Sequence, residues 1–294
     1  MNIIGEFAAL VTAICWSGSS ISFAEATRRI GSVTINVLRL WVAAFFFLIT
    51  ILLFQFSLAL KFPQLFYLML SGFIGLTLGD TFLFKAYQCL GARLTMLFMS
   101  LSPAVSAIIA FFFLSESLTV LDLLGMIITI TGIIFVVTEK RGSESSNILK
   151  SGYLFALLAA VGQGVSLIFA KFAFTGGEIN GFIAAFTRIV AGLITLTPLA
   201  ILSGRFKNPV VAMKNDKIAL KYTLLGSFLG PYLGITLSMI AVEYSKVGIA
   251  ATIMSLVPVL MLPLLKIFYK EKISFRAFTG AAIAVTGVAI LFLC

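Results

Sequence analysis

Asp80 has the clearest claim to chemistry in this sequence. It stands within the apolar run Phe73-Ile74-Gly75-Leu76-Thr77-Leu78-Gly79-Asp80-Thr81-Phe82-Leu83-Phe84. If that run lies in lipid, a lone carboxylate costs at least ~2.5–3.5 kcal/mol unless it meets water or a cation. Two roles are therefore open: a structural ion pair with Lys85 or Arg93, or a coupling group for an ion or a polar solute. Arg39 and Arg188 fall a turn or two inside other apolar runs, where a long side chain can carry its charge back to the interface as an anchor. Trp16, Ser19, Ser20 and Phe23 share one helical face at i, i+3, i+4 and i+7 spacing, a stripe that could hold a small amphipathic solute.

Histidine is absent, which removes imidazole metal ligands, general bases and proton relays. The three cysteines, Cys15, Cys89 and Cys294, are scattered and odd in number, so neither a disulfide framework nor a cysteine metal site is expected. No GxxxxGK[ST] motif is present, and no nucleotide or other cofactor is implied.

These groups must be positioned by helices in a bilayer. The chain is 61% hydrophobic and 11% charged, against about 25% charged in soluble domains. Nearly charge-free runs recur at about 20 residues, the length that a 30 Å hydrocarbon core demands. Ten spans are predicted near 5–25, 33–56, 64–88, 93–114, 119–138, 151–174, 179–203, 220–243, 247–268 and 274–293. The runs are continuous rather than alternating, which favours helices over a barrel. The first span lacks a basic leader and a small-residue cleavage site, and is read as retained.

The net charge of +10 is explained by topology rather than by nucleic acid. About sixteen Lys and Arg fall in the loops after spans 1, 3, 5, 7 and 9, and about three (Lys61, Lys171, Lys246) on the opposite side. The positive-inside rule then puts the odd loops in the cytoplasm and both termini outside.

The sequence also repeats itself. Met99-Ser100-Leu101-Ser102-Pro103, Glu116, Gly125 and Thr131-Gly132 recur as Met254-Ser255-Leu256-Val257-Pro258, Glu271, Gly280 and Thr286-Gly287 at one constant offset. Upstream, Ser71, Gly75, Gly79 and Thr81 are echoed by Gly226, Gly230, Gly234 and Thr236, and Thr77 corresponds to Tyr232. A second offset relates Gly5, Ala9, Ala13 and Ser19 to Gly152, Ala156, Ala160 and Ser166, with Gln163 where the first half has Trp16. About a quarter of positions match between Gly75 and Gly132, which marks an internal duplication. The expected organisation is a first repeat, 1–138, a linker, 139–150, and a second repeat, 151–294. Five spans per repeat is odd, so the second copy enters the membrane in the opposite direction, as in carriers whose binding site lies at the repeat interface.

Within this frame the glycine stripes read as close-packing surfaces. Pro103 and Pro258 read as kinks in spans 4 and 9, beside a cavity that could satisfy the freed carbonyls. Glu116 and Glu271 read as corner residues that complement helix N-termini, and Thr119-Val120-Leu121-Asp122 as a capping box.

The Ser-Leu-x-Pro stretch leading to Glu and Gly in each half, Gly79-Asp80 with Ala86-Tyr87, Arg39, Arg188 and Trp16 together resemble the EamA family of ten-helix permeases in the drug/metabolite transporter superfamily. The resemblance spans essentially the whole chain. It implies an all-α integral membrane protein of two inverted five-helix repeats around a central cavity, exporting amino acids or other small metabolites from a bacterial-type inner membrane. Two departures stand out: members are commonly described with cytoplasmic termini, and many carry an aromatic residue where this chain has Gln163.

The leading expectation is a secondary carrier. Trp16, Ser19, Thr77, Thr81, Gln163, Ser166, Tyr232 and Thr236 are expected to line its site, with Asp80 as the coupling candidate and protons as the candidate ion. A lipid or polyisoprenoid-linked flippase and a multidrug efflux carrier are the nearer alternatives. An intramembrane aspartyl enzyme is the remote one, since Leu78-Gly79-Asp80 lacks both the leading glycine and the second aspartate such chemistry requires.

Overall fold

Small and hydroxylated residues share the interior with a few large side chains such as Phe47 and Phe84, and large apolar side chains coat the outside. Ala9, Ala13, Ala43, Ser17, Ser71, Thr12 and Thr252 are buried, while Leu52, Leu53, Phe112, Phe113, Leu202 and Phe275 are each at least 70% exposed. An apolar surface so extensive requires lipid around it.

A computed structural model describes residues 3–116, 118–137, 151–204, 206, 211, 214, 216–269 and 274–293. Among these residues every regular element is helical. The first half holds α1 (Ile3–Ile30), α2 (Ser32–Phe54), α3 (Phe62–Gly72), a π-helical segment π1 (Phe73–Gly79), α4 (Asp80–Met99), α5 (Ser102–Phe113) and α6 (Val120–Val137). The second holds α7 (Ser151–Thr175), α8 (Gly181–Leu202), α9 (Lys217–Ser227), π2 (Phe228–Gly234), α10 (Ile235–Tyr244), α11 (Val247–Met254), α12 (Val257–Tyr269) and α13 (Phe275–Leu293). The expected linker, 139–150, and Glu271 lie outside the described residues.

Among the described residues, seven stretches are long and apolar enough to cross a membrane: Ile3–Ile30, Ser32–Phe54, Phe62–Ala92, Ser151–Thr175, Gly181–Leu202, Lys217–Tyr244 and Val247–Leu264. The expected spans at 93–114, 119–138 and 274–293 correspond to the shorter apolar helices Ser102–Phe113, Val120–Phe135 and Phe275–Leu291. The first of these is short because the chain is interrupted twice, at Gly91 with φ 76° and at Ser100-Leu101.

The duplicated register carries through to the backbone. π1 and π2 begin and end at equivalent residues, as do the breaks at Ser100-Leu101 and Ser255-Leu256. Pro103 and Pro258 occupy the second position of α5 and of α12 rather than a helix interior. There the missing N–H is one that a helix start leaves unbonded in any case, so proline begins a new helix without losing a bond.

The π segments widen the helix by one residue per turn, a feature frequent at functional sites, and each packs on the first helix of the other half. On π1 and α3, Ser71 donates to the Ser166 carbonyl (2.7 Å), and side chains added at Gly75 and Gly79 would meet Ser166 and the Gly162-Gln163 backbone on α7. On α9 and π2, side chains at Gly226, Gly230 and Gly234 would meet Phe23, Ser19 and Trp16 on α1. A separate seam joins α6 to α13, where Gly125 and Gly132 abut Leu291 and the Gly280-to-Ala284 turn. Glycine at each point lets backbone approach backbone.

One capping expectation is corrected. Glu116 does not serve the helix that follows it; its carboxylate accepts from Val247 N (2.9 Å) and caps α11 of the other half. Burial pushes the Glu116 carboxyl up, and the Val247 bond opposes that push. The Thr119/Asp122 capping box forms, with bonds of 2.8 and 3.1 Å, and Asp122 also pairs with Lys246 at 2.9 Å.

Candidate functional site

A cavity of about 110 Å³ lies between the halves, room for several water molecules or a solute of similar bulk. Its wall includes Trp16, Ser19, Ser20 and Phe23 of α1, Arg39 of α2, Asp80, Leu83, Phe84 and Tyr87 of α4, Gln163 of α7 and Arg188 of α8. Gly230 and Pro231 of π2, Ile235 of α10, and Ser100, Ser102, Ser255 and Pro258 at the two helix breaks also line it. The helical interruptions therefore surround the cavity.

Asp80 is paired with Arg39 and not with Lys85. Arg39 Nη2 donates to Asp80 Oδ2 in a buried ion pair. Arg39 Nε donates to Asn36 Oδ1 (3.0 Å), and its guanidinium carbon lies 5.0 Å from the Phe84 ring centre and 6.0 Å from that of Phe23. Lys85 instead sets its ammonium 5.3 Å from the Phe155 ring centre, and the Arg93 side chain lies outside the described residues. Arg39 is 4% exposed and Arg188 1%, so neither is an interface anchor. α2 and α8 are buried against other helices at these positions, and a guanidinium so enclosed has no route back to the interface.

Arg188 is held differently. Nη2 donates to Ser166 Oγ (2.8 Å) and Nη1 points at Met239 Sδ (3.4 Å), while Nε has no hydrogen-bond partner. Among the described residues it forms no ion pair.

Of the expected site residues, Trp16, Ser19, Gln163, Asp80 and Pro258 reach the cavity wall. The others are placed elsewhere, with their polar groups bonded. Ser166 donates to the Ser71 carbonyl (3.0 Å) and accepts from Arg188. Thr77 pairs with Thr195 (2.6 Å), and Thr81 donates to the Thr77 carbonyl (2.5 Å). Tyr232 pairs with Thr50 (2.6 Å) inside a cluster with Phe46, Phe47 and Phe228, and Thr236 donates to the Tyr232 carbonyl (2.6 Å). Hydroxyls bonded to the carbonyl four residues back are satisfied within their own helix. Pro103 is buried in α5, behind Ser100 and Ser102 of the wall.

Sequence reasoning missed the Arg39/Asp80 pair and the place of Arg188 in the cavity. The duplicated register held part of the signal, because the arginine is repeated and the aspartate is not.

An uncharacterized transporter of Archaeoglobus fulgidus is 23% identical to this chain over 289 residues, covering 97% of this chain and 96% of that one. The uncharacterized transporter YetK of Bacillus subtilis is 23% identical over 296 residues, covering 97% and 86%. A solved crystal structure superimposes with a TM-score of 0.76 over 98% of both chains at 18% identity, a likeness of fold. The sequence model of the EamA-like transporter family matches residues 3–138 and again residues 150–293. The chain belongs to the EamA-like transporter family, a membrane transporter family rather than an enzyme family.

Proposed function

We propose that this protein is a secondary carrier that exports small amphipathic metabolites, amino acids and their relatives, from a bacterial-type inner membrane. Ten spans, arranged as inverted repeats over 1–138 and 151–294, would rock about the cavity and expose it to each side in turn. One observation carries this reading: a cavity walled by both halves holds an ion pair and a second guanidinium in surroundings otherwise largely apolar. Such groups are costly inside a membrane and mark solute and ion pathways.

In this scheme Trp16, Ser19 and Gln163 contact solute from opposite halves. Asp80 is the coupling group: a proton arriving there would release Arg39, and that change of pairing would bias one arrangement of the halves over the other. The helix breaks before Pro103 and Pro258 are the points where α5 and α12 could swing.

The test is uptake and counterflow of a labelled amino-acid panel, with the matching deaminated acids, in proteoliposomes with and without an imposed pH gradient. Saturable flux is expected, with Asp80→Asn losing accumulation but keeping exchange. Absence of saturable flux for every solute would overturn the carrier reading, and full gradient-driven accumulation by Asp80→Asn would overturn the coupling role. Cysteines introduced singly at Ser145 and Lys61 and labelled from outside the cell test orientation. The charge bias predicts labelling at Lys61 only.

A further inference from the structure

We infer that the cavity is a monocarboxylate site, with Arg188 as the group that receives the carboxylate. The inference rests on the carrier reading for what the cavity is for, and on the side chains alone for what it holds. Among the described residues the ionisable groups in the wall are Arg39, Asp80, Tyr87 and Arg188. Two guanidiniums face one carboxylate, and Tyr87 is a phenol bonded to Ser20 Oγ at 3.3 Å. The cavity therefore carries one positive charge in excess, and the hydrogen bonds locate it. Arg39 is spoken for by Asp80, Asn36 and two aromatic rings. Arg188 has only a hydroxyl and a thioether, both neutral, and a free Nε–H.

Asp80 acts on Arg188 across space but does not bond to it; a buried cation with no directly paired anion is a costly arrangement, and an arriving carboxylate lowers the cost. The guanidinium is also seated firmly. Ser166 is locked to Ser71 by reciprocal bonds of 2.7 and 3.0 Å, and a Cβ at Gly75 would stand 3.2 Å from Arg188 Nη2. Glycine leaves that space to the arginine. Gln163, one helical turn before Ser166 on α7, adds an amide donor at the wall. Trp16, Phe23, Leu83, Phe84, Met96 and Met254 supply apolar surface for the body of the solute.

The charge count also limits the solute. A dianion would need a second free cation, and the ammonium of an amino acid would meet an excess positive charge with no unpaired acid to receive it. The preferred solute is an acid with one carboxylate and an apolar body, favoured over the corresponding amino acid.

Binding is read best through Trp16, because Trp41, the other tryptophan of the chain, lies 54% exposed on the outer face and can be replaced by Phe. The detergent-purified Trp41→Phe protein is titrated with 4-methylpentanoate, 4-methylpentanamide and leucine, following Trp16 emission. The acid is expected to bind at least about tenfold more tightly than its amide, as a charge-assisted bond implies, and more tightly than leucine. Arg188→Gln should bring acid and amide level, and Arg188→Lys should keep part of the preference. If Arg188→Gln does not fold, Ile235→Asp carries the test, because a carboxylate there would cancel the excess charge and abolish the preference. Equal binding of acid and amide, an unchanged preference in Arg188→Gln or Ile235→Asp, or no saturable change with any carboxylate overturns the inference. The two failures are separable. Acid binding without flux of any solute would sink the carrier reading alone, and flux indifferent to the carboxylate would sink this inference alone.

Discussion

The two halves place an arginine at equivalent points, Arg39 on α2 and Arg188 on α8, and treat them in opposite ways. In the first half Asp80 stands at the start of α4, one residue beyond π1, and neutralises Arg39. In the second half the residue one beyond π2, at the start of α10, is Ile235, and Arg188 is left without a bonded acid among the described residues. Duplication gives both halves the same scaffold, with the same π segments, glycine contacts and helix breaks. On the cavity wall the copies part at Asp80 against Ile235 and at Trp16 against Gln163. A cavity built from two identical halves would hold two neutral ion pairs; this one holds a pair and a lone cation.

The largest effects should come from breaking the pair. Asp80→Leu strands Arg39 in the interior and is expected to cost about 3–5 kcal/mol, read as a fall in the unfolding midpoint in detergent. Adding Arg39→Leu should recover most of that loss. Arg188→Met strands no partner and should cost less than about 1 kcal/mol, or stabilise. Equal losses at Asp80 and Arg188 would mean that Arg188 is paired after all and that the contrast between the halves is wrong.

The next effect is on recognition. Ile235→Asp restores at the second half the acid that the first half has, and should bind Arg188 as Asp80 binds Arg39. Stability should hold or rise while 4-methylpentanoate binding falls at least about tenfold. Retained binding would show that the carboxylate is received elsewhere in the wall.

How much of this could be read in the sequence differs by region. Seven of the ten expected spans are legible because long hydrophobic runs are local patterns. The π segments are not: the glycines of π1 and the Pro231 of π2 signal only a perturbed helix, and the serines that pack on them, Ser166 at Gly75 and Ser19 at Gly230, are distant in sequence. Pro103 and Pro258 look like interior kinks because each sits inside a long apolar run, whereas the preceding helices end at Met99 and Met254 and new helices begin one residue before each proline. The partner of Asp80 is 41 residues away, a distance at which nearby Lys85 and Arg93 were the natural sequence candidates. Thr77, Thr81, Tyr232 and Thr236 recur as hydroxyls in both halves, and that recurrence goes with helix packing, since none of the four is on the cavity wall.

A smaller effect compares the two glycine contacts. A Cβ at Gly75 meets a serine that Ser71 and Arg188 hold in place, whereas a Cβ at Gly230 lies 2.9 Å from Ser19 Oγ, whose one hydrogen bond, to the Trp16 carbonyl, is 3.3 Å long. Ser19 can turn aside and Ser166 cannot. Gly75→Ala should therefore cost about 1–3 kcal/mol and weaken carboxylate binding, and Gly230→Ala about 1 kcal/mol less. Equal costs would show that Ser166 yields as readily as Ser19, and that the seat of Arg188 is softer than its hydrogen bonds indicate.

The smallest effects concern the paired hydroxyls, Thr77 with Thr195 of α8 and Tyr232 with Thr50 of α2, each at 2.6 Å across the halves. Tyr232→Phe removes one bond within an aromatic cluster that stays packed, so a loss of about 0.5–1.5 kcal/mol is expected with solute binding unchanged. Thr236→Val, which loses only a bond to its own helix, should cost less still. The measurement that decides is binding and flux beside the unfolding midpoint. A tenfold drop in flux by Tyr232→Phe at undiminished stability would put that hydroxyl on the solute path, and the cavity would then have to open toward α2 and π2 during transport. Loss of stability alone would leave Tyr232 and Thr50 as one half of a matched pair of fasteners, with the work of recognition confined to the wall where the halves differ.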